Sequence, residues 1–257
     1  MVRRQLAGLL IVMLLASPSW AATVTYDADT TCQAASGTTN TCNHTIGTGS
    51  NVYAGACIFT RSSPTADVTS VTIDGSAGSH IVTAIDTADS SNVRVELWGR
   101  ALGSKNGTIA VDSVWDQTDA PRIVAFSMFN VDQSTPVGTP QSTAPGTFPT
   151  SLSVNVSSAT DELVLSCLGL ATSASAITVG GGQTEQWLNT TNSNSTQDQG
   201  STEPGGATVT MSHSWTTADY AALVAAPFRS APDGQPTHLR GGTIPGMNSL
   251  GLGGPLP

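Results

Sequence analysis

The sequence predicts an all-β protein: a two-sheet antiparallel β-sandwich, jelly-roll or Greek-key in type, with about a dozen strands. Three observations carry this. Residues 93–131 hold alternating apolar and polar positions, with Val93, Val95, Leu97 and Ala101 on one face and Arg94, Glu96 and Arg100 on the other. That two-residue period is the mark of a half-buried strand. Short apolar segments separated by Gly, Pro, Asn and Asp recur along the chain, and none after the N-terminal run has the period of an amphipathic helix. No fixed-period repeat appears, which argues against solenoids and propellers.

Within residues 93–131 the pattern predicts a meander. The first strand ends at Ser104-Lys105-Asn106-Gly107, where Asn-Gly is a strong hairpin signal. Thr108 to Val114 forms the second strand. Ile123 to Val131 is apolar on both faces and reads as the middle of a sheet. Upstream, residues 22–28 read as a first strand and 29–50 as a polar loop. Residues 51–60 read as a central strand. Val68 to Ile73 is turned by Asp74-Gly75, and His80 to Ile85 follows.

Downstream, the four prolines of residues 132–150 forbid a regular ladder, so this stretch reads as a long crossover loop. Residues 151–157 alternate, with Leu152, Val154 and Val156 inward, and 162–171 form a second central strand. Residues 183–188 make a short strand. The very polar run 189–206 reads as a loop, and 207–215 with 220–228 as a closing hairpin.

The first 21 residues have the form of a signal peptide. Arg3 and Arg4 precede an apolar run from Leu6 to Ala16, and Ser19-Trp20-Ala21 offers a cleavage site. The run is shorter than the roughly 20 residues that span a bilayer. The expected layout is thus a leader at 1–21, one sandwich domain at 22–229 and a Pro/Gly-rich extended tail at 230–257. Without the leader, 7 Lys and Arg face 18 Asp and Glu, a formal charge of −11. An acidic chain with no basic stripe argues against nucleic acid and against docking on anionic lipid. The predicted localisation is secreted or cell-surface, with no membrane association once the leader is cleaved.

Four cysteines in an exported chain read as disulfides. Of the three pairings, Cys32 with Cys42 and Cys57 with Cys167 are preferred: the first would close a polar loop, the second would join two apolar strands. Free buried thiols at Cys57 and Cys167 are the alternative. No CxxC and no His at ligand spacing from a Cys supports zinc.

Several strings together have a familiar order: HTIGTGSN (44–51), VRVELWG (93–99), VAFSMFNVDQSTPVGTP (124–140), SVNVSSATDELVL (153–165), GGQTEQW (181–187) and GSTEPGGATVTMSHSW (200–215). Over about residues 40–229 they resemble an uncharacterised β-sandwich domain of secreted bacterial and phage-associated structural proteins. The resemblance implies a jelly-roll-like sandwich in an extracellular or virion-surface setting. It brings no catalytic residues. The cysteines at 57 and 167 and the long tail depart from it.

Signals for catalysis are poor. His44, His80, His213 and His238 are scattered, and no Ser sits in a G-x-S-x-G elbow. Glu96 and Glu185 could serve as a glycosidase pair only if strand pairing set them at the right separation; otherwise both face solvent. Calcium is the one cofactor suggested, with Asp86, Asp89 and Asn92 in one loop as candidate ligands and Asp112, Asp116 and Asp119 near another. The same residues would serve as turn-forming Asx side chains.

A candidate ligand face is Arg94, Glu96, Trp98 and Arg100, since sugars stack on exposed aromatic rings. Trp115, Trp187 and Trp215 are further candidates, unless they fill the sandwich. In the tail, Ile244, Met247, Leu250, Leu252 and Leu256 could add to a neighbour's sheet edge and drive self-association, unless the terminus is disordered. The reading these features favour is a secreted non-enzymatic protein acting in surface adhesion, glycan binding or extracellular assembly. A structural or decoration protein of a phage particle or filament comes second. A glycan-active hydrolase comes last.

Overall fold

The computed structural model of the protein describes residues 22–33, 37–62, 67–87, 92–119, 121–171, 176–190 and 197–232. The leader, Asp89 and the tail residues Ile244, Met247, Leu250, Leu252 and Leu256 lie outside the described residues.

The first half of the chain supplies β1 (Thr25–Gln33), β2 (Gly37–Ile46), β3 (Val52–Ser62), β4 (Val68–Ile73), β5 (Ser76–Ala77), β6 (Ser79–Asp86), β7 (Asn92–Gly103), β8 (Gly107–Asp119) and β9 (Arg122–Phe129). The second half supplies β10 (Gln141–Thr143), β11 (Ser151–Val156), β12 (Leu163–Leu170), β13 (Ile177–Val179), β14 (Thr184–Asn189), β15 (Gln197–Pro204), β16 (Val209–Trp215) and β17 (Ala221–Phe228). All pairings are antiparallel, and no described residue is helical.

The all-β class is therefore as expected, but the strands form four sheets, not two. An N-outer sheet (β2-β8-β4-β5) covers an N-inner sheet (β1-β9-β3-β7-β6), and a C-inner sheet (β10-β17-β12-β15-β14) is covered by a C-outer sheet (β11-β16-β13). The two inner sheets face each other through a core that includes Tyr53, Phe59, Val95, Phe126, Leu165 and Phe228. The outer cores hold Ile58, Ile73, Val111 and Ile123 on one side, and Val164, Leu168, Met211 and Leu223 on the other.

The layering follows from the pleat. In β3, Ala54, Ala56 and Ile58 point to the N-outer sheet, while Tyr53, Cys57 and Phe59 point to the C-inner sheet. β12 divides likewise, with Leu165 and Cys167 inward and Val164, Leu168 and Leu170 outward. A strand between two apolar layers must be apolar on both faces, and β3, β9, β12 and β17 are the strands whose sequences read that way.

Both preferred disulfides are present, and each joins two layers. Cys32–Cys42 ties β1 to β2 with Cα atoms 5.4 Å apart, and Cys57–Cys167 ties the two inner sheets at 6.3 Å. They fit an oxidising, extracellular-type environment. No helix among the described residues is long and apolar enough to cross a membrane.

Several local expectations need correction. The meander of residues 93–131 does not exist as pairing: β7 and β9 lie in the N-inner sheet and β8 in the N-outer one. The segment around Asn106-Gly107 is a corner between layers, with Gly103 and Gly107 at φ 69° and 78°. The closing hairpin is likewise absent, since β16 pairs with β11 and β13 while β17 pairs with β12 and β10. Asp74-Gly75 does form a hairpin, both residues having positive φ as a two-residue type I′ turn requires. Residues 29–50 and 189–206, read as loops, contain β2 and β15: β2 leaves Thr39, Thr41, Asn43 and Thr45 exposed and buries His44, while β15 buries Gln197, Asp198, Gln199 and Ser201.

Candidate functional site

Arg94, Glu96, Trp98 and Arg100 do share one face of β7, but the N-outer sheet covers it. Glu96 is 1% exposed. Its carboxylate accepts from Arg94 Nε and, at 2.6 Å, from Trp98 Nε1. Arg94 also pairs with Asp67, and Arg100 Nη1 donates to the Ile73 carbonyl at 3.2 Å. Trp98 meets the His80 ring edge-on at 5.0 Å. Arg94, Glu96 and Trp98 thus form an internally satisfied layer contact, while Arg100 at the end of β7 is only partly buried. Trp115, Trp187 and Trp215 are buried core residues.

The candidate calcium ligands separate. Asp86 is buried, and its Oδ2 accepts from the Ala221 amide at 3.3 Å. Asn92 opens β7 opposite Ser62. Asp112 lies within β8 and accepts from Thr41 at 2.6 Å and Thr72 at 3.2 Å, bridging its two neighbouring strands. Asp116 accepts from the Asp67 amide at 2.8 Å. No group of three or more His, Cys, Asp or Glu side chains that could hold a metal occurs among the described residues.

Each layer boundary carries a buried polar cluster that the sequence did not reveal. Between the N-sheets, a bulge between Tyr26 and Ala28 turns Asp27 toward Ser127. Ser127 Oγ donates to Asp27 Oδ2 at 2.7 Å, so His44 Nε2, 2.9 Å away, must donate to Ser127. His44 Nδ1 is then the acceptor for Thr30 Oγ1 at 2.9 Å. These are the residue types of a hydrolytic triad in the wrong order. A catalytic histidine takes the serine proton and is oriented by the carboxylate; here the carboxylate holds the serine proton. Both His44 and Ser127 are fully buried. Burial lowers the His44 pKa, against the pull of Asp27.

Between the inner sheets, Arg122 of β9 pairs with Asp198 of β15. Asp198 also accepts from Asn189 at 2.7 Å and Trp187 at 3.2 Å, and Arg122 donates to Gln33 at 3.1 Å. Burial pushes the Asp198 carboxyl above its usual range, opposed by Arg122, Asn189 and Trp187. The Trp187 indole lies over Gly200, where a Cβ would collide with it.

Between the C-sheets, His213 of β16 reaches Ser166 at 2.9 Å and Gln199 at 2.7 Å. Gln199 spends its amide hydrogens on Glu185 and the Ile177 carbonyl, so its oxygen accepts from His213 Nδ1. Nε2 is left as acceptor for the Ser166 hydroxyl. Burial lowers the His213 pKa to about 3. The signal available in the sequence was only a period-2 placement of Asp198, Gly200 and Thr202 against Gln197, Gln199 and Ser201. Without knowledge of Arg122 and His213 opposite them, it reads as solvent-facing.

A cleft of about 570 Å³ opens where the start of β6 and the end of β7 meet the 132–140 segment and Arg229. This volume falls in the range of small-molecule sites, roughly 300–1,000 Å³. Ile81, Ala101, Pro136, Val137 and Pro140 give it apolar walls, while Tyr53, Ser79, His80, Arg100, Thr135 and Arg229 add polar groups. No carboxylate among the described residues lines it. Gly99 forms part of the wall because a Cβ there would collide with the Tyr53 hydroxyl. Asp132 fixes the wall segment: its side chain accepts from the amides of Ser134 at 2.7 Å and Thr135 at 3.2 Å. Its own burial would raise its pKa, but those hydrogen bonds and the Arg229 charge hold it below the usual range. His80 is engaged by Thr83 at 2.6 Å.

Comparison of the chain with protein-family models, with curated proteins and with solved structures finds no match.

Proposed function

We propose that this is an exported, non-enzymatic protein that binds a glycan at an extracellular surface, using the cleft between β6, β7 and the 132–140 segment. The observation that carries this reading is the lining itself. Apolar walls beside hydrogen-bond donors suit a sugar, whose ring has a C–H face and a hydroxyl edge. Hydrolysis of a glycosidic bond ordinarily needs two carboxylates, and no described carboxylate lines this cleft. The His44, Ser127 and Asp27 set supports the same conclusion, being sealed between layers with its proton order reversed.

Two disulfides spanning three of the four layers favour a second reading, a building block of a particle, filament or adhesive surface. On that reading the jelly-roll resemblance would reflect a shared structural role. Incubation with a panel of soluble and insoluble polysaccharides tests the first reading: saturable binding with no release of reducing ends is expected. Binding to none of them, together with filaments or closed particles by electron microscopy, would shift the assignment to the second.

A further inference from the structure

We infer that the ligand of this cleft is an acidic sugar, a ring carrying a carboxylate or a sulfate ester. This rests on the glycan-binding reading above and narrows it. The first argument is a census of cations. The described residues contain six Arg and Lys side chains: Arg61, Arg94, Arg100, Lys105, Arg122 and Arg229. Arg94, Lys105 and Arg122 are committed to ion pairs, and Arg61 Nη1 donates to the Ala171 carbonyl at 2.7 Å. The remaining two, Arg100 and Arg229, both line the cleft. Neither has a described carboxylate at ion-pair distance. Asp132 feels the Arg229 charge but spends its oxygens on Ser134 and Thr135. Arg100 gives one of its five donors to Ile73 and keeps the rest. In a chain this acidic, two cations without an ion-pair partner among the described residues at one concave site make that site selective for negative charge.

The second argument is independent of charge. The Tyr53 ring is buried, while its hydroxyl forms no hydrogen bond to a described residue and sits on the cleft wall. Burial raises its pKa, so it remains a protonated donor. The hydroxyl lies against Gly99, and both residues line the cleft, so its natural partner is a ligand oxygen arriving there. The ring itself is anchored edge-on against Phe228 at 5.1 Å, which fixes where the hydroxyl points. A glycine wall, a fixed phenol donor and two guanidinium groups together describe a site for a flat, oxygen-rich anion.

The test uses the full mature chain and isothermal titration with three sets of oligosaccharides of equal length: neutral, uronate-containing and sulfated. The acidic sets should bind at least about tenfold more tightly than the neutral set, by an amount that shrinks at high salt. The stronger of the two acidic sets identifies the anionic group. Arg229→Gln should remove most of the acidic preference. Tyr53→Phe should weaken binding several-fold while leaving the unfolding temperature unchanged or higher, because the hydroxyl it removes bonds no described residue. Equal binding of neutral and acidic sets, unaltered by Arg229→Gln, overturns the acidic assignment and leaves glycan binding standing. Binding of no set at all removes both.

Discussion

His213 makes stability depend on pH in a way that can be calculated. Its imidazole is buried neutral between the C-sheets, with a pKa of about 3 in the folded protein against about 6.5 in an unfolded chain. Between these values the unfolded chain binds the extra proton. Stability is therefore full above pH 6.5 and falls as the pH drops toward 3. Linkage puts the loss at about 2 kcal/mol from pH 7 to pH 5, and about 3 kcal/mol from pH 7 to pH 4. Burial lowers the His44 pKa as well, so the comparison must be with His213→Gln. At pH 7 the variant should be less stable by about 1–3 kcal/mol, because Ser166 and Gln199 lose a buried partner. Its stability should then fall less steeply, closing the gap by about 3 kcal/mol at pH 4. Urea unfolding at pH 7, 5 and 4 measures both proteins. Two curves that stay parallel would refute the claim that His213 is held neutral by burial.

Three further expectations concern the joints between layers. Replacing Cys57 and Cys167 by Ala opens the longer loop and should cost up to about 4.7 kcal/mol, against about 2.7 kcal/mol for the Cys32 and Cys42 pair. Equal urea midpoints for the two double variants would rule out loop closure as the source. Arg122→Met or Asp198→Leu alone should cost about 3–5 kcal/mol by stranding a buried charge or its donors, whereas Arg122→Met with Asp198→Leu should cost less than either. A double-mutant cycle from denaturation curves reads this, and additive losses would contradict it. Gly200→Ala should displace the Trp187 indole and lower stability by about 1–3 kcal/mol, with a change in near-ultraviolet circular dichroism that reports the moved ring.

What could be read in advance follows the range of the forces involved. The alternation in β7 placed Val95 and Leu97 on one face and Arg94, Glu96 and Trp98 on the other, which is how they lie. It gave no hint that a second sheet would cover the polar face, because covering Glu96 depends on Arg94 and Trp98 satisfying it there. β15 shows the same limit more sharply. Gln197, Asp198, Gln199 and Ser201 are buried although every local rule sends them to water. For Asp198, Gln199 and Ser201 that burial is met by Arg122, His213 and Ser166, distant in sequence, which arrive opposite them. The cleft was invisible for a related reason: Tyr53, Gly99, Val137 and Arg229 come from four separate segments.

The sequence by itself determined the all-β class, the central strands that are apolar on both faces, the Asp74-Gly75 turn and the cysteines that could meet. These depend on side-chain period, backbone preference and hydrophobicity within a few residues. Only the tertiary structure decided that the strands divide among four layers, that consecutive strands such as β7 and β8 part company, and that polar strands can lie inside. Hydrophobic burial is non-directional and accepts many stackings, whereas hydrogen bonds and ion pairs between distant residues accept few, and those pairings are fixed only when the layers close.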